Sequence, residues 1–162
     1  PNTVAGAIHA VTQHIQPTYL NLHAAGGREM MLQAKAACPK NTKLLAVTIL
    51  TSLDENAITE VGYKEGLSKR VIQMAKLTKE CGLDGIVCSS HEIDIIRKEC
   101  GNDFILMVPG IRPEGSAVGD QKRIMTPRDA MDKGASHLVI GRPITQADNP
   151  AQAAQNIIDS LS

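Results

Sequence analysis

The chain has 162 residues, enough for one domain with a sizeable core, and its 17 basic and 17 acidic residues give zero net charge. A balanced charge argues against a protein that binds nucleic acids or anionic membranes, and no apolar run is long enough to span a bilayer. Aromatic residues make up only 2% of the chain, which suits an aliphatic core of βα units. Four cysteines without a Cys-x-x-Cys pair predict reduced thiols and a cytoplasmic protein.

Capping residues, apolar stripes and glycines divide the first half of the chain into alternating helices and strands. In chain order, we predict a helix at 2–13, a strand at 19–23, a helix at 28–38, a strand at 43–50, a short helix at 54–61 and a long helix ending at Gly82. Asn2 or Thr3 is predicted to cap the first helix. Ser68 is predicted to cap the long helix that ends at Gly82.

The second half continues the same alternation. In chain order, we predict a strand at 85–88, a helix at 91–100, a strand at 104–108, a helix at 126–134, a strand at 137–140 and a final helix at 149–161. The pairs Thr126-Pro127 and Asn149-Pro150 each combine a capping side chain with a proline at the first helical position, which indicates where these two helices begin.

Five predicted strands, each followed by a helix, indicate a parallel sheet of the α/β class. A complete (β/α)8 barrel takes roughly 250 residues, and five-eighths of that length is about 156. The length of the chain therefore fits five consecutive units of a (β/α)8 TIM barrel, predicted as a single, incomplete domain covering residues 1–162.

Two neighbouring strand ends carry glycine and arginine. The strand at 104–108 runs into Pro-Gly-Ile-Arg112, and the strand at 137–140 runs into Gly141-Arg142. Glycine lets backbone N–H groups approach an anion, and arginine offers a planar fork of donors. Because (β/α)8 barrels bind phosphate at the carboxyl ends of their last strands, this pattern predicts a small ligand that carries a phosphate group.

Seven segments resemble the bacterial type of the orotidine 5′-monophosphate decarboxylase family, in the family's order and approximate spacing. They are residues 1–4, 21–27, 46–52, 81–89, 109–113, 119–127 and 139–145. The resemblance implies a (β/α)8 barrel of the ribulose-phosphate-binding kind, with its last five strands in this chain. It also implies a carboxy-lyase that converts orotidine monophosphate (OMP) to UMP in pyrimidine biosynthesis, in the cytoplasm and without a metal or cofactor.

The same resemblance implies a set of substrate-binding positions. It assigns Thr51 to the nucleotide near the pyrimidine, and Thr3 to the ribose held by the partner subunit of a homodimer with shared sites. The positions that it assigns to the phosphate are Arg112, Gln121, Gly141 and Arg142.

These positions also have simpler interpretations. Arg112 and Arg142 could be surface arginines, and Thr51 or Thr3 could merely end a strand or cap a helix. His23, at the end of a predicted strand, could touch substrate or make a structural hydrogen bond. Asp84 is expected to satisfy backbone groups where a strand begins.

The chain departs from the family in its charged residues. Family members carry an Asp-x-Lys-x-x-Asp array before the Pro-Asn-Thr motif, whereas this sequence begins with that motif and holds no such array. The nearest imitation starts at Asp120-Gln-Lys122 but has Met125 in the last position. We therefore assign no catalytic residue in this chain.

Three interpretations remain open from the sequence. In the first, the residues belong to the decarboxylase and the array lies outside this chain. In the second, the chain is a non-catalytic protein that binds a nucleotide or phosphate. In the third, it belongs to another barrel enzyme acting on a sugar phosphate, such as an epimerase or a synthase.

Overall fold

A computed structural model describes residues 1–113 and 124–161. Its sheet has five parallel strands in the order β1-β2-β3-β4-β5. The strands are Tyr19–His23 (β1), Lys43–Val47 (β2), Gly85–Val87 (β3), Ile105–Val108 (β4) and His137–Leu138 (β5). All five predicted strands are confirmed, although most end earlier than the apolar runs that predicted them.

Helices alternate with these strands. They are Asn2–His14 (α1), Gly27–Ala37 (α2), Glu55–Glu60 (α3), Leu67–Glu80 (α4), Ile93–Cys100 (α5), Pro127–Asp132 (α6), Arg142–Thr145 (α7) and Pro150–Asp159 (α8). Two 3-10 turns, Ala24–Gly26 and Ser90–Glu92, follow β1 and β3. The sequence did not predict α7, because four residues are too few to show a helical period. Within the two described ranges, no helix has the length and apolarity needed to cross a bilayer.

The strand order defines how the sheet is built. Each strand pairs with its sequence neighbour, so the order never reverses as it does in doubly wound sheets. Right-handed crossovers in one direction put every connecting helix on the same side of the sheet. The opposite side is then the concave interior of a barrel wall.

The pairing register separates the two faces of the sheet. Leu44, Ala46, Ile86 and Leu106 are fully buried and belong to one apolar cluster with residues of the helices. The neighbouring row, on the concave face, is aligned by the pairing and consists of His23, Val47, Val87, Met107 and His137.

A contact across the concave face joins the two outermost strands. The hydroxyl of Tyr19 on β1 lies 2.8 Å from Nε2 of His137 on β5, and the two rings meet edge to face at 5.0 Å. Strands at opposite edges of a flat five-stranded sheet could not touch in this way, since neighbouring strands are about 4.8 Å apart. The contact therefore shows how strongly the sheet curves.

Helix caps give mixed outcomes for the sequence predictions. The caps at Thr126 and Asn149 are confirmed, since their side chains accept hydrogen bonds from the backbone N–H of Asp129 and Gln152. The predicted cap at Asn2 or Thr3 is wrong: both lie inside α1, and the residue before the helix is Pro1, with no side-chain cap.

The cap predicted at Ser68 is also wrong. Helix α4 starts one residue earlier, at Leu67, and Ser68 lies inside its first turn. Both carboxylate oxygens of Glu55, in α3, lie 3.0 Å from the backbone nitrogen of Leu67 and accept its N–H. Glu55, twelve positions before Leu67, thus provides the cap that the local sequence assigned to Ser68.

Candidate functional site

The carboxyl ends of β2, β3 and β4 surround a small cavity. It has a volume of about 210 Å³ and is lined by Val47, Ile49, Leu50, Thr51, Ser52, Val87, Cys88 and Pro109. Thr51, in the loop after β2, is only 7% exposed. Apolar walls with a few hydroxyl groups suit a flat ring that carries a small number of polar atoms.

Arg112 is a buried cation in the loop after β4. It is 7% exposed, and its backbone N–H donates to the carbonyl of Met125 at 2.9 Å, next to a parallel bridge between Ile111 and Met125. One terminal nitrogen, NH1, donates to the carbonyl of Ile111 at 2.8 Å. Its Nε is buried and has no hydrogen-bond partner among the residues that the structure describes. Since burying an unpaired donor is costly, this atom is a candidate for binding a ligand.

Gly141 and Arg142 follow β5, the strand next to β4. The backbone N–H of Val139 donates to the carbonyl of Val108 at 2.9 Å, which extends the pairing toward both loops. Gly141 precedes α7, and Arg142 is the first residue of that helix and is exposed. No described residue lies within 4 Å of where a Cβ of Gly141 would stand, so the backbone here is open to an approaching group.

The two arginine loops meet at their prolines. Pro113 follows Arg112 and Pro143 follows Arg142 in the sequence. Both prolines line one cleft of about 190 Å³, together with Ala153, Asn156 and Ile157 of α8. The structure therefore brings the two loops to the same cleft, as the sequence predicted for neighbouring strand ends. Gln121 lies outside the described residues.

Thr3 lies apart from the arginine loops. It is exposed in the first turn of α1, beside β1 at the opposite edge of the sheet from β5. With His23, it lines a largely apolar groove of about 480 Å³ between α1 and β1. His23 is exposed, and both of its predicted roles stay open.

Ser90 is a candidate that the sequence analysis missed. It follows β3 and is fully buried, and its hydroxyl has no hydrogen-bond partner within the described ranges. Its neighbour Ser89 forms a capping box with Glu92, whose carboxylate accepts the backbone N–H of Ser89 at 3.0 Å. The Ser-x-x-Glu spacing is the sequence signal that could have located this turn, and with it the buried hydroxyl.

Asp84 lies at the other end of the strands and has the structural role that the sequence predicted. Its carboxylate accepts the backbone N–H of Leu44 at 3.0 Å and pairs with Lys35 at 2.6 Å and Lys43 at 3.3 Å. Burial alone would raise the pKa of Asp84, but these donors and their charge outweigh it and hold the pKa below its usual range. In the described part of the chain, no group of three His, Cys, Asp or Glu residues is placed to bind a metal ion.

The sheet order, the alternating helices and the loops at the carboxyl ends define a protein of the (β/α)8-barrel class. The comparisons with known proteins narrow this class. Residues 1–157 match the model of the orotidine 5′-phosphate decarboxylase / HUMPS family. The chain belongs to this family, and its relatives named orotidine 5′-phosphate decarboxylase indicate a carboxy-lyase.

Individual relatives agree with the family match. The chain is 50% identical to an orotidine 5′-phosphate decarboxylase of Erythrobacter litoralis, over 99% of this chain and 71% of the relative. It is 47% identical to that of Rhodospirillum rubrum, over 99% of this chain and 68% of the relative. The crystal structure of the Lactobacillus acidophilus enzyme superposes with a TM-score of 0.83 at 34% identity, covering 100% of this chain and 70% of that one.

Proposed function

We propose that this chain provides the phosphate- and nucleotide-binding loops of an orotidine 5′-monophosphate decarboxylase, which converts OMP to UMP in de novo pyrimidine biosynthesis. The observation that carries the proposal is the buried Arg112, whose Nε has no partner among described residues, in a loop that shares a cleft with the Gly141-Arg142 loop. A buried guanidinium with an unused donor favours an anionic ligand.

The phosphate group is proposed to lie between the two loops. Arg112 and Arg142 supply charged donors, the open backbone at Gly141 supplies an N–H group, and Gln121 supplies an amide. An ester phosphate suits such a site because charge-assisted hydrogen bonds to guanidinium groups are short and can be bidentate. The remaining surface of the nucleotide then extends toward the carboxyl ends of β2 and β3.

The pyrimidine ring is proposed to lie in the cavity beside Thr51. Its walls come from Val47, Val87 and Pro109, which exclude water from the faces of a ring, while Thr51 and Ser52 offer hydroxyls at its edge. Loss of CO2 from the ring would leave a carbanion, which preorganised charges in a dry site stabilise. Binding energy from the distant phosphate contributes to that stabilisation if it is realised in the transition state.

A second candidate function is nucleotide binding without catalysis. The observation that favours it is that the 162 residues contain no Asp-x-Lys-x-x-Asp array, so they supply no lysine to protonate the carbanion. Phosphate contacts alone move no proton. Both candidates use the same loops and predict the same ligand.

Two measurements on the purified chain test these candidates. Calorimetric titration with UMP tests the nucleotide site, and release of CO2 from OMP tests catalysis. Binding with turnover would rule out the second candidate, whereas binding without turnover is what both candidates expect of these 162 residues, because they contain no Asp-x-Lys-x-x-Asp array. Absence of any UMP binding would contradict both.

We further propose that residues 1–162 form one domain that works in the cytoplasm as a homodimer with shared sites, in which Thr3 reaches the ribose bound by the partner. The free thiols of all four cysteines support a reducing compartment. The exposed position of Thr3 on the rim of an apolar groove leaves it accessible to a second subunit.

Light scattering should give twice the monomer mass, and Thr3→Ala should weaken UMP binding. A monomer that binds UMP equally well with and without Thr3 would contradict the shared site.

A further inference from the structure

The cleft between the arginine loops is completed by helix α8. Pro113 and Pro143 form one side, and Ala153, Asn156 and Ile157 form the side that belongs to α8. Each proline directly follows one of the two arginines proposed to hold phosphate. A group on α8 that fixes both prolines therefore influences both arginines at once.

Helix α8 is anchored independently of the cleft. At its start, the Asn149 side chain accepts the backbone N–H of Gln152 at 3.1 Å. Just beyond its end, the carbonyl of Leu161 accepts a hydrogen bond from NH1 of Arg128, in α6, at 3.0 Å. The cap fixes the first turn of the helix and the Arg128 bond ties its far end to α6, so a side chain on α8 can position neighbouring loops.

Ile157 is the side chain of α8 that the fold buries most. It is 7% exposed, whereas the adjacent Ile158 is 58% exposed. The two isoleucines have the same volume and the same helix propensity. They differ in whether they face the cleft, which makes Ile158 an internal control for Ile157.

We propose that Ile157 is a positioning residue, which acts through Pro113 and Pro143 to set the spacing of Arg112 and Arg142 around the phosphate. The proposal deepens the proposed function and rests on it. The proline ring fixes φ, so rotation about this backbone angle cannot absorb a shift of the ring. A shift of either proline therefore also moves the arginine before it. Removing most of the Ile157 side chain would enlarge the cleft and let the loops move relative to each other.

Such a movement should affect the phosphate selectively. Charge-assisted hydrogen bonds to an oxyanion hold their donors within a few tenths of an ångström, so a small change in the spacing of the loops costs affinity. The nucleoside part touches the cavity near Thr51, which Ile157 does not line. A loss limited to the phosphorylated ligand therefore separates positioning from general loosening of the fold.

The experiment titrates wild type, Ile157→Ala and Ile158→Ala with UMP and with uridine. We expect Ile157→Ala to weaken UMP binding about tenfold and to leave uridine binding unchanged. Ile158→Ala should match wild type for both ligands. Ile157→Leu, which keeps the volume, should restore most of the UMP affinity; if Ile157→Ala fails to fold, Ile157→Val is compared instead and should show a smaller loss in the same direction.

The possible outcomes distinguish this inference from the proposed function. If wild type binds UMP and the Ile157 variants bind it equally well, or lose UMP and uridine affinity by the same factor, the positioning role is wrong and the proposed function stands. If wild type binds UMP no more tightly than uridine, the proposed phosphate site is wrong, and the positioning role is wrong with it.

Discussion

The polar groups at the two ends of the parallel sheet differ in their hydrogen bonding. At the amino ends of β4 and β5, Arg97 donates to the carbonyls of Gly101, Asn102, Phe104 and Gly134 and to the hydroxyl of Ser136. Near the carboxyl ends, the buried Nε of Arg112 and the buried hydroxyl of Ser90 have no hydrogen-bond partner among described residues.

From this difference we infer that the polar groups at the amino ends stabilise the fold, whereas those at the carboxyl ends bind a ligand. Buried polar groups in folded proteins are nearly always paired, so unpaired ones near an open cavity mark places where a ligand can complete the pairing. In (β/α)8 barrels, active sites lie at the carboxyl ends of the strands, while the amino ends contribute to stability. Substitutions at the two ends should therefore change different measured quantities.

The largest effect on stability is expected from Arg97→Ala. It leaves four backbone carbonyls without their donor and should lower the free energy of unfolding by about 3 kcal/mol. Urea denaturation should show a lower midpoint with an unchanged slope. Arg28→Ala is the matched control, since the exposed Arg28 pairs with the exposed Glu80 and its loss should barely move the midpoint. Equal midpoints for the two variants would show that the hydrogen bonds of Arg97 do not stabilise the fold.

A smaller and pH-dependent effect is expected from Asp84→Asn. The lowered pKa of Asp84 means that its carboxylate stabilises the fold above the pKa of the unfolded chain, and that this contribution is lost as the pH falls through the folded-state pKa. At pH 7 the variant should be less stable by about 1 kcal/mol, after allowance for solvent screening.

The difference between wild type and Asp84→Asn should disappear as the pH falls below about 4. Urea midpoints measured across that range check the prediction. Asp132→Asn, at an exposed carboxylate paired with Arg128, serves as the control and should show little pH-dependent difference. A gap between wild type and Asp84→Asn that stays constant down to low pH would show that the ion pairs do not cause it.

The last test of stability compares two residues that the sequence predicted to cap helices. Thr126→Ala should cost about 1 kcal/mol, because the side chain of Thr126 accepts the backbone N–H of Asp129 at the start of α6. Ser68→Ala should be neutral or slightly stabilising, because Ser68 lies within α4 and alanine is the better helix former. Thermal melts of both variants would refute this assignment if Ser68→Ala proved the more destabilising.

The sequence predicted those parts of the molecule that local patterns determine. Apolar runs located the strands, and Thr126 and Asn149 located two helix starts, because each cap bonds to a residue three positions away. Ser68 failed for the opposite reason: the donor at the start of α4 is taken by Glu55, and no local pattern reports a contact between two helices.

The candidate site was predictable to a similar extent. Glycine and arginine after neighbouring strands indicated two loops for phosphate, and the order of the strands puts those loops side by side. The burial of Arg112, the unpaired hydroxyl of Ser90 and the cleft that Ile157 shares with two prolines depend on packing between distant segments. Such features follow from the fold and leave no periodic trace in the sequence.

The central claim is that Arg112 and Arg142 hold one phosphate group, and the most direct test is titration of wild type, Arg112→Ala and Arg142→Ala with UMP and uridine. Each substitution removes charge-assisted hydrogen bonds and should weaken UMP binding by roughly 10- to 100-fold, with uridine binding unchanged. Unchanged UMP affinity in either variant, or an equal loss for both ligands, would contradict the claim.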